Sequence, residues 1–286
     1  MPYFDGDVLQ YAFLQKGEYE VFYIVEDAAG NVAEFILTIT IEFPYEYYYE
    51  STIDLEGTAL FNELREIVSI HNKVSYGDAR YILSVSDRDY KTDYTTVRGM
   101  YDNDVIATYW IASGPGAWQR EHVWPNSKLG AAGVSNTSKD QRSDLHGLRA
   151  ITGINQTRSN RYFDQGVGDA HIIGSEAFYP GDDFKGDVAR ILFYMVLRYD
   201  FLTLTDDISL LENNPSTNYT MAGAYQGLLS LLVDWHLEDP VDKFEIDRNN
   251  FIYEGIAYNP NDQAITPQGN RNPFIDHPEW VEMLFG

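Results

Sequence analysis

An α+β fold, mostly helical with short strands gathered at its centre, is predicted by three features of the sequence. Apolar residues recur at helical spacing over 56–71 and 187–199. Two-residue alternation with β-branched and aromatic side chains is strongest near the N-terminus, over 19–41. Between the helical stretches, residues 101–165 are rich in Gly, Asn, Ser and Arg and hold only short β-like pieces. Helices flanking such a loop-rich centre place the chemistry there.

The elements follow in order. Tyr19, Val21, Tyr23 and Val25 alternate with Glu20, Phe22, Ile24 and Glu26, Asp27 to Asn31 supplies a turn, and Phe35, Leu37, Ile39 and Ile41 share one face of a second run. Two strands around a Gly-Asn turn predict a hairpin. The strings Glu18-Tyr19-Glu20-Val21 and Asp27-Ala28-Ala29-Gly30-Asn31-Val32-Ala33 resemble the closing strands of bacterial immunoglobulin-like surface modules. Such a module needs about 7 strands, so residues 1–43 are expected to be its C-terminal part. An ordinary hairpin laid on the main domain is the alternative. Residues 44–50, tyrosine-rich after Phe43-Pro44, read as a linker, and 51–286 as the main domain. There Leu60, Leu64, Ile67 and Val68 predict one helix, and Val188, Ile191, Leu192, Met195 and Val196 another. A third is expected over 222–236, and Asp239-Pro240 is read as the N-cap and first residue of a fourth.

Composition narrows the function. The 286 residues carry 20 Lys+Arg against 44 Asp+Glu, a formal charge of −24, and no cysteine. Thiolate metal sites, disulfides and cysteine nucleophiles are excluded. The apolar run 191–197 is far short of the roughly 20 residues a membrane span needs, so no span is expected. No export signal is visible at Met1-Pro2-Tyr3-Phe4-Asp5. A charge of this size argues against a basic nucleic-acid-binding domain.

The centre tells against that objection. It contains Arg120-Glu121-His122-Val123-Trp124-Pro125, then Asp144-Leu145-His146-Gly147-Leu148-Arg149, then Asn155-Gln156-Thr157-Arg158-Ser159-Asn160. Neighbours on a strand face opposite ways, so Glu121 and His122 serve one site only where the strand ends, and Pro125 is placed to end it. Neutral imidazole at His122 is a candidate general base for water. Glu121 is a hard oxygen donor suited to Mg²⁺, and the amide carbonyl of Asn155 is a candidate second one. Over 118–161 there are seven bases and three acids, a local charge of +4. Cationic charge near the centre of an acidic chain implies weak, salt-sensitive binding of a polyanion.

These strings, with Lys185-Gly186-Asp187-Val188-Ala189-Arg190, Asp239-Pro240-Val241-Asp242 and Gln268 to Pro278, resemble the endonuclease I family of exported, sequence-nonspecific bacterial nucleases. The resemblance spans about 55–280 in the family's order. It implies a ββα-metal (His-Me) finger, formed by a strand ending at His122, a strand near 145–151 and a helix carrying Asn155. It also implies Glu121 and Asn155 as metal ligands, His122 as the base, 5′-phosphate products, and secretion or a cell-surface location. Mg²⁺ is the expected ion, with Mn²⁺ or Ca²⁺ as alternatives. DNA is the expected partner, RNA a second one, bound weakly and without sequence specificity. One departure is Ala150-Ile151, where relatives often carry Pro and a polar residue. Arg158 and Arg149 are candidate phosphate clamps or internal ion pairs. His146 and His277 read as structural, Trp118 and Trp124 as packing residues, and His171 with Asp169 as an incomplete metal motif. Two rival readings stay open: an acidic cell-surface adhesion module without catalysis, and a metal phosphodiesterase acting on a non-nucleic substrate.

Overall fold

Alternation in the sequence becomes a regular antiparallel hairpin in the computed structural model, which describes residues 17–27, 29–41, 45–130, 133–212 and 224–286. Strand β1 (Gly17–Glu26) pairs with β2 (Val32–Ile41), Gly17 opposite Ile41 and Glu26 opposite Val32. Asp27 closes the turn by accepting from the backbone N–H groups of Ala29 (2.8 Å) and Asn31 (2.9 Å). Gly30 supplies the left-handed φ of +83° that this turn requires. Phe22, Ile24, Phe35 and Ile36 are all at least 60% exposed, so both faces of the hairpin meet solvent. The remainder of the expected immunoglobulin-like segment, residues 1–16, lies outside the described residues.

The stretch read as a linker is packed instead. Residues Glu46–Thr52 form a 3-10 helix, and Tyr49 is 3% exposed. Its ring sits edge-on to Trp280 (5.3 Å) and His277 (5.0 Å), and its hydroxyl donates to Asp276 at 2.7 Å. Of the four tyrosines in residues 45–49, Tyr49 is buried, Tyr45 and Tyr48 are half-buried and Tyr47 stays exposed. A chain starting at Tyr45 is therefore expected to unfold in urea like the full-length chain. One starting at Ser51 should be less stable by about 3 kcal/mol, the scale of removing a large buried aromatic. Equal midpoints for the two truncations would show that the packing contributes nothing.

The body is helical. In α1 (Gly57–Ser69) the buried residues are Leu60, Leu64 and Val68, spaced four apart as expected. Helix α2 (Tyr76–Ser86) starts where the Ser75 hydroxyl accepts from Asp78 N–H at 3.0 Å. Short antiparallel pairs follow: β3 (Val97–Arg98) with β4 (Val105–Ile106), and β5 (Gln119–His122) with β6 (Leu148–Ile151). Helix α3 (Ile154–Arg158) leads into a three-stranded sheet of β7 (Tyr162–Phe163), β8 (His171–Ile173) and β9 (Ala177–Tyr179), with β9 central. Helix α4 (Lys185–Arg198) is buried from Gly186 to Leu197, apolar nearly all round as a central helix must be.

Two boundaries differ from expectation. Residues 222 and 223 lie outside the described residues, and Tyr225–Gln226 is a strand, β11, parallel to β10 (Thr203–Leu204) beyond which α5 (Ile208–Glu212) lies. The third expected helix, α6, therefore spans Leu229–Glu238. The fourth, α7 (Lys243–Glu254), is capped by Asp242 in a reciprocal box with Glu245, not by Asp239. Asp239 serves α4: its carboxylate accepts from Gly186 N–H and its carbonyl from Arg190 Nη1, each at 2.8 Å. A side chain at Gly186 would collide with that Asp239 carbonyl. The hairpin of β12 (Ala257–Tyr258) and β13 (Ala264–Ile265) and the short helices α8 (Pro273–Asp276) and α9 (Glu279–Phe285) complete the body, α9 packing on α1 and α6. Among the described residues no helix is long and apolar enough to cross a membrane.

Candidate active site

Strand β5, strand β6 and helix α3 follow one another as strand, strand and helix, and they carry the central motifs. Glu121 lies opposite Arg149 in the ladder and His122 opposite Leu148. The strand ends at His122; the next N–H, of Val123, bonds the Gly147 carbonyl, and Trp124 is fully buried. Alternation puts Gln119 and Glu121 on one face and Arg120 and His122 on the other.

On the first face Glu121 is 3% exposed. Its Oε1 accepts from the Tyr101 hydroxyl at 3.0 Å and lies 3.8 Å from Arg158 Nε. Burial pushes this carboxyl up to about 7, with Arg158 and Tyr101 only partly opposing it. Both contacts fall on Oε1, which leaves Oε2 for another partner. Asn155, on α3, donates its Nδ2 to Gln119 Oε1 at 2.5 Å, which leaves its Oδ1 for another. A carboxylate oxygen and an amide oxygen on one face, with a costly buried negative charge between two weak partners, fit a hard divalent cation that keeps several waters.

On the second face the His122 ring stacks on Tyr76, centroids 5.3 Å apart at 21°. Its Nε2 bonds the Arg142 carbonyl at 2.8 Å. A carbonyl only accepts, so Nε2 carries the proton and Nδ1 is the basic nitrogen. Burial pushes the imidazole down to about 4, so it is neutral at pH 7. Arg142 is held in turn by Asp140, which accepts from its N–H (3.0 Å), Nε (2.9 Å) and Nη2 (2.6 Å). Beside His122, the Arg120 guanidinium lies 3.5 Å over the Tyr76 ring. The carboxylate–amide pair and the imidazole thus flank the end of β5 from its two faces.

Arg149 and Arg158 are brought to the same unit, yet neither reaches solvent. Arg149 is 1% exposed; Nη1 donates to Asp187 at 2.8 Å and Nε lies 3.4 Å from Asp87. Arg158 is 0% exposed, donates to the Val123 carbonyl (3.0 Å) and the Ser159 carbonyl (2.7 Å), and lies over Phe163. The local +4 is largely turned inward. Arg142 is spent on Asp140, Arg161 on the Ser175 and Thr157 carbonyls, and buried Lys128 on the Tyr225 carbonyl. Sequence reasoning missed Tyr76, Tyr101 and Gln119, and the Arg142 carbonyl that meets His122, all placed by contacts remote in the chain. The Asp140 capping position was the one local signal.

Several other motif residues hold the body together. Asp144 accepts from Tyr194 (2.9 Å), Tyr199 (2.8 Å), Gln268 (2.8 Å) and the His146 N–H (3.0 Å). Arg190 grips Glu245 through two bonds of 2.7 and 2.6 Å, and Asn270 reaches the Val68 carbonyl at 2.8 Å. His146 bonds the Asn270 carbonyl and His277 stacks on Trp280, both as structural residues; Trp118 and Trp124 are buried.

The family model for endonuclease I matches residues 56–279. The chain belongs to the endonuclease I family. An extracellular ribonuclease of Bacillus amyloliquefaciens is 36% identical over 253 residues, covering 86% of this chain and 81% of the relative. An extracellular ribonuclease of Bacillus subtilis (strain 168) is 36% identical over 244 residues, covering 83% and 78%. No solved structure matches the chain. As a member of the endonuclease I family the protein is a nuclease, which removes the reading as an adhesion module without catalysis.

Proposed function

We propose that this nuclease is a divalent-metal-dependent, sequence-nonspecific endonuclease acting on DNA and RNA, with residues 45–286 as the catalytic unit and the hairpin as an appendage. The observation that carries the reading is the end of β5. There an imidazole with a fixed tautomer lies on one face of the strand and two oxygens left open on Glu121 and Asn155 lie on the other. The relatives' description as extracellular ribonucleases supports RNA as a substrate and export as the fate of this chain.

In the proposed mechanism His122 Nδ1 takes the proton from a water aligned with the scissile phosphorus. The Arg142 carbonyl accepts from Nε2 throughout and stabilises the imidazolium that forms. Arg158 acts as a positioning residue, holding Glu121 and the backbone at Val123, and Arg149 ties β6 to α4 from within. Glu121 and Asn155 would hold Mg²⁺, with Mn²⁺ or Ca²⁺ as alternatives. When bound, the ion supplies charge stabilisation at the phosphate and at the departing 3′ oxygen. The water oxygen bonds to phosphorus as the bond from phosphorus to the 3′ oxygen breaks, and that oxygen takes up a proton from solvent, leaving a 3′-hydroxyl and a 5′-phosphate.

Incubation with plasmid and with total RNA, in EDTA and in added Mg²⁺, tests the reading. Both substrates should be cut only with the metal, and intact substrates under every divalent ion would end it. Asn155→Ala should raise the Mg²⁺ concentration for half activity about 10-fold or more, with rescue at high metal, in line with losing one neutral ligand. A metal dependence identical to wild type would remove Asn155 from the ligand set.

A further inference from the structure

Asp140, which holds Arg142 behind His122, also lines a recess of about 120 Å³. Three separate segments bring basic side chains to its wall: His71 and Lys73 from the loop after α1, Lys139 beside Asp140, and Arg198 from the end of α4. In a chain with 44 acidic and 20 basic residues, unpaired cations are scarce. Among the described residues, Lys73, Lys139 and Arg198 form no ion pair. The two acids in the wall are already engaged, Asp140 by Arg142 and Asp144 by four donors. Arg198 Nε and His71 Nδ1 are buried polar atoms with no partner in the protein. Saturated anions beside unsatisfied cations give the recess a net positive field and spare donors, which suits a phosphate group.

We propose that this recess is a phosphate subsite, taking a backbone phosphodiester of the nucleic-acid strand next to the one being cleaved. The inference rests on the endonuclease reading and names where the strand runs. A free phosphate ion shares the chemistry. The strand is favoured because the cations come from three segments around one opening. The wall is also continuous, through Asp140 and Arg142, with the support of His122. It also locates the cationic contact surface that the inward-turned arginines of 118–161 do not provide.

The test is binding of a short labelled single-stranded oligonucleotide in EDTA, so that no cleavage is needed, across about 50 to 200 mM salt. Lys73→Gln, Lys139→Gln and Arg198→Gln combined should lower the slope of log affinity against log salt by about 2, at about 0.7 per phosphate contact. Lys139→Arg should restore its share. Lys91→Gln, exposed on another part of the body, should leave the slope unchanged. Lys73 and Lys139 are exposed, so their single variants fold and carry the same test at about 0.7 each. Wild-type slope and affinity in the combined and single variants would overturn the subsite. So would loss of inorganic phosphate binding with oligonucleotide binding intact, which would make the recess a free-anion site. Plasmid cleavage in Mg²⁺, measured alongside, separates the two readings. Cleavage with an unchanged slope ends the subsite alone, and an altered slope without cleavage ends the endonuclease mechanism alone.

Discussion

Replacing His122 with alanine is expected to slow phosphodiester cleavage about 10²- to 10⁴-fold, the usual scale for losing a general base. Metal binding should stay close to wild type. The imidazole is neutral at pH 7, its Nε2 is committed to the Arg142 carbonyl, and its Nδ1 is the one nitrogen able to accept a proton. Three other imidazoles are committed to protein partners. His146 is buried on the Asn270 carbonyl, His236 on the Pro278 carbonyl, and His277 pairs with Glu279. The fold should survive, because one hydrogen bond and one ring stack at a partly buried position are worth about 1 to 2 kcal/mol. Turnover at saturating Mg²⁺, a calorimetric metal titration and a thermal melt of the variant decide it. A rate within about 10-fold of wild type would remove His122 as the base.

Arg149→Ala is expected to act on stability instead, lowering it by about 3–5 kcal/mol, as removal of one partner from a buried ion pair does. The guanidinium is 1% exposed, between Asp187 at 2.8 Å and Asp87 at 3.4 Å, with Phe244 over its other face. Burial alone would raise the Asp187 carboxyl, but Arg149, with Arg98 and Arg190 near it, holds it below its usual 3.8. The sign follows from linkage: this stabilisation is present above the unfolded-state value and is lost as pH falls through the depressed one. Asp87 keeps Arg248 at 2.8 Å; Asp187 loses its closest cation. Arg149→Lys should recover part of the loss, since a single ammonium cannot bridge two carboxylates as a fork does. Urea unfolding measures the effect. A variant with wild-type stability and a reduced salt slope for nucleic acid would return Arg149 to the role of phosphate clamp.

The two arginines show where reading the sequence stopped. Arg149 and Arg158 stand in the central motifs and invite a role at the substrate, because composition counts a charge without saying which way it points. Seven bases against three acids over 118–161 suggested a cationic surface. In the fold, most of those bases neutralise carboxylates or bond carbonyls inside the protein. Cations without an acidic partner among the described residues come together from Lys73, Lys139 and Arg198, far apart in the chain. The tyrosine-rich stretch ahead of Ser51 misled in the same way. Its composition resembles a spacer, and only the partners at Asp276 and Trp280 make it part of the core.

What the sequence determined by itself was whatever depends on neighbours along the chain. The helical spacing of Leu60, Leu64 and Val68 and the hairpin alternation with its Asp27–Gly30 turn are local, whereas the succession of strand, strand and helix through Glu121, His122 and Asn155 was implied by the family resemblance. Periodicity and turn chemistry act over a few residues, so they can be read before folding. Tertiary structure decided everything that depends on a remote partner. The Arg142 carbonyl sets which nitrogen of His122 is basic, Tyr101 and Arg158 leave one oxygen of Glu121 open, and Asp187 turns Arg149 into the interior. Burial and pairing set the charge state and direction of an ionisable group, and both are made by segments that meet only when the chain has folded.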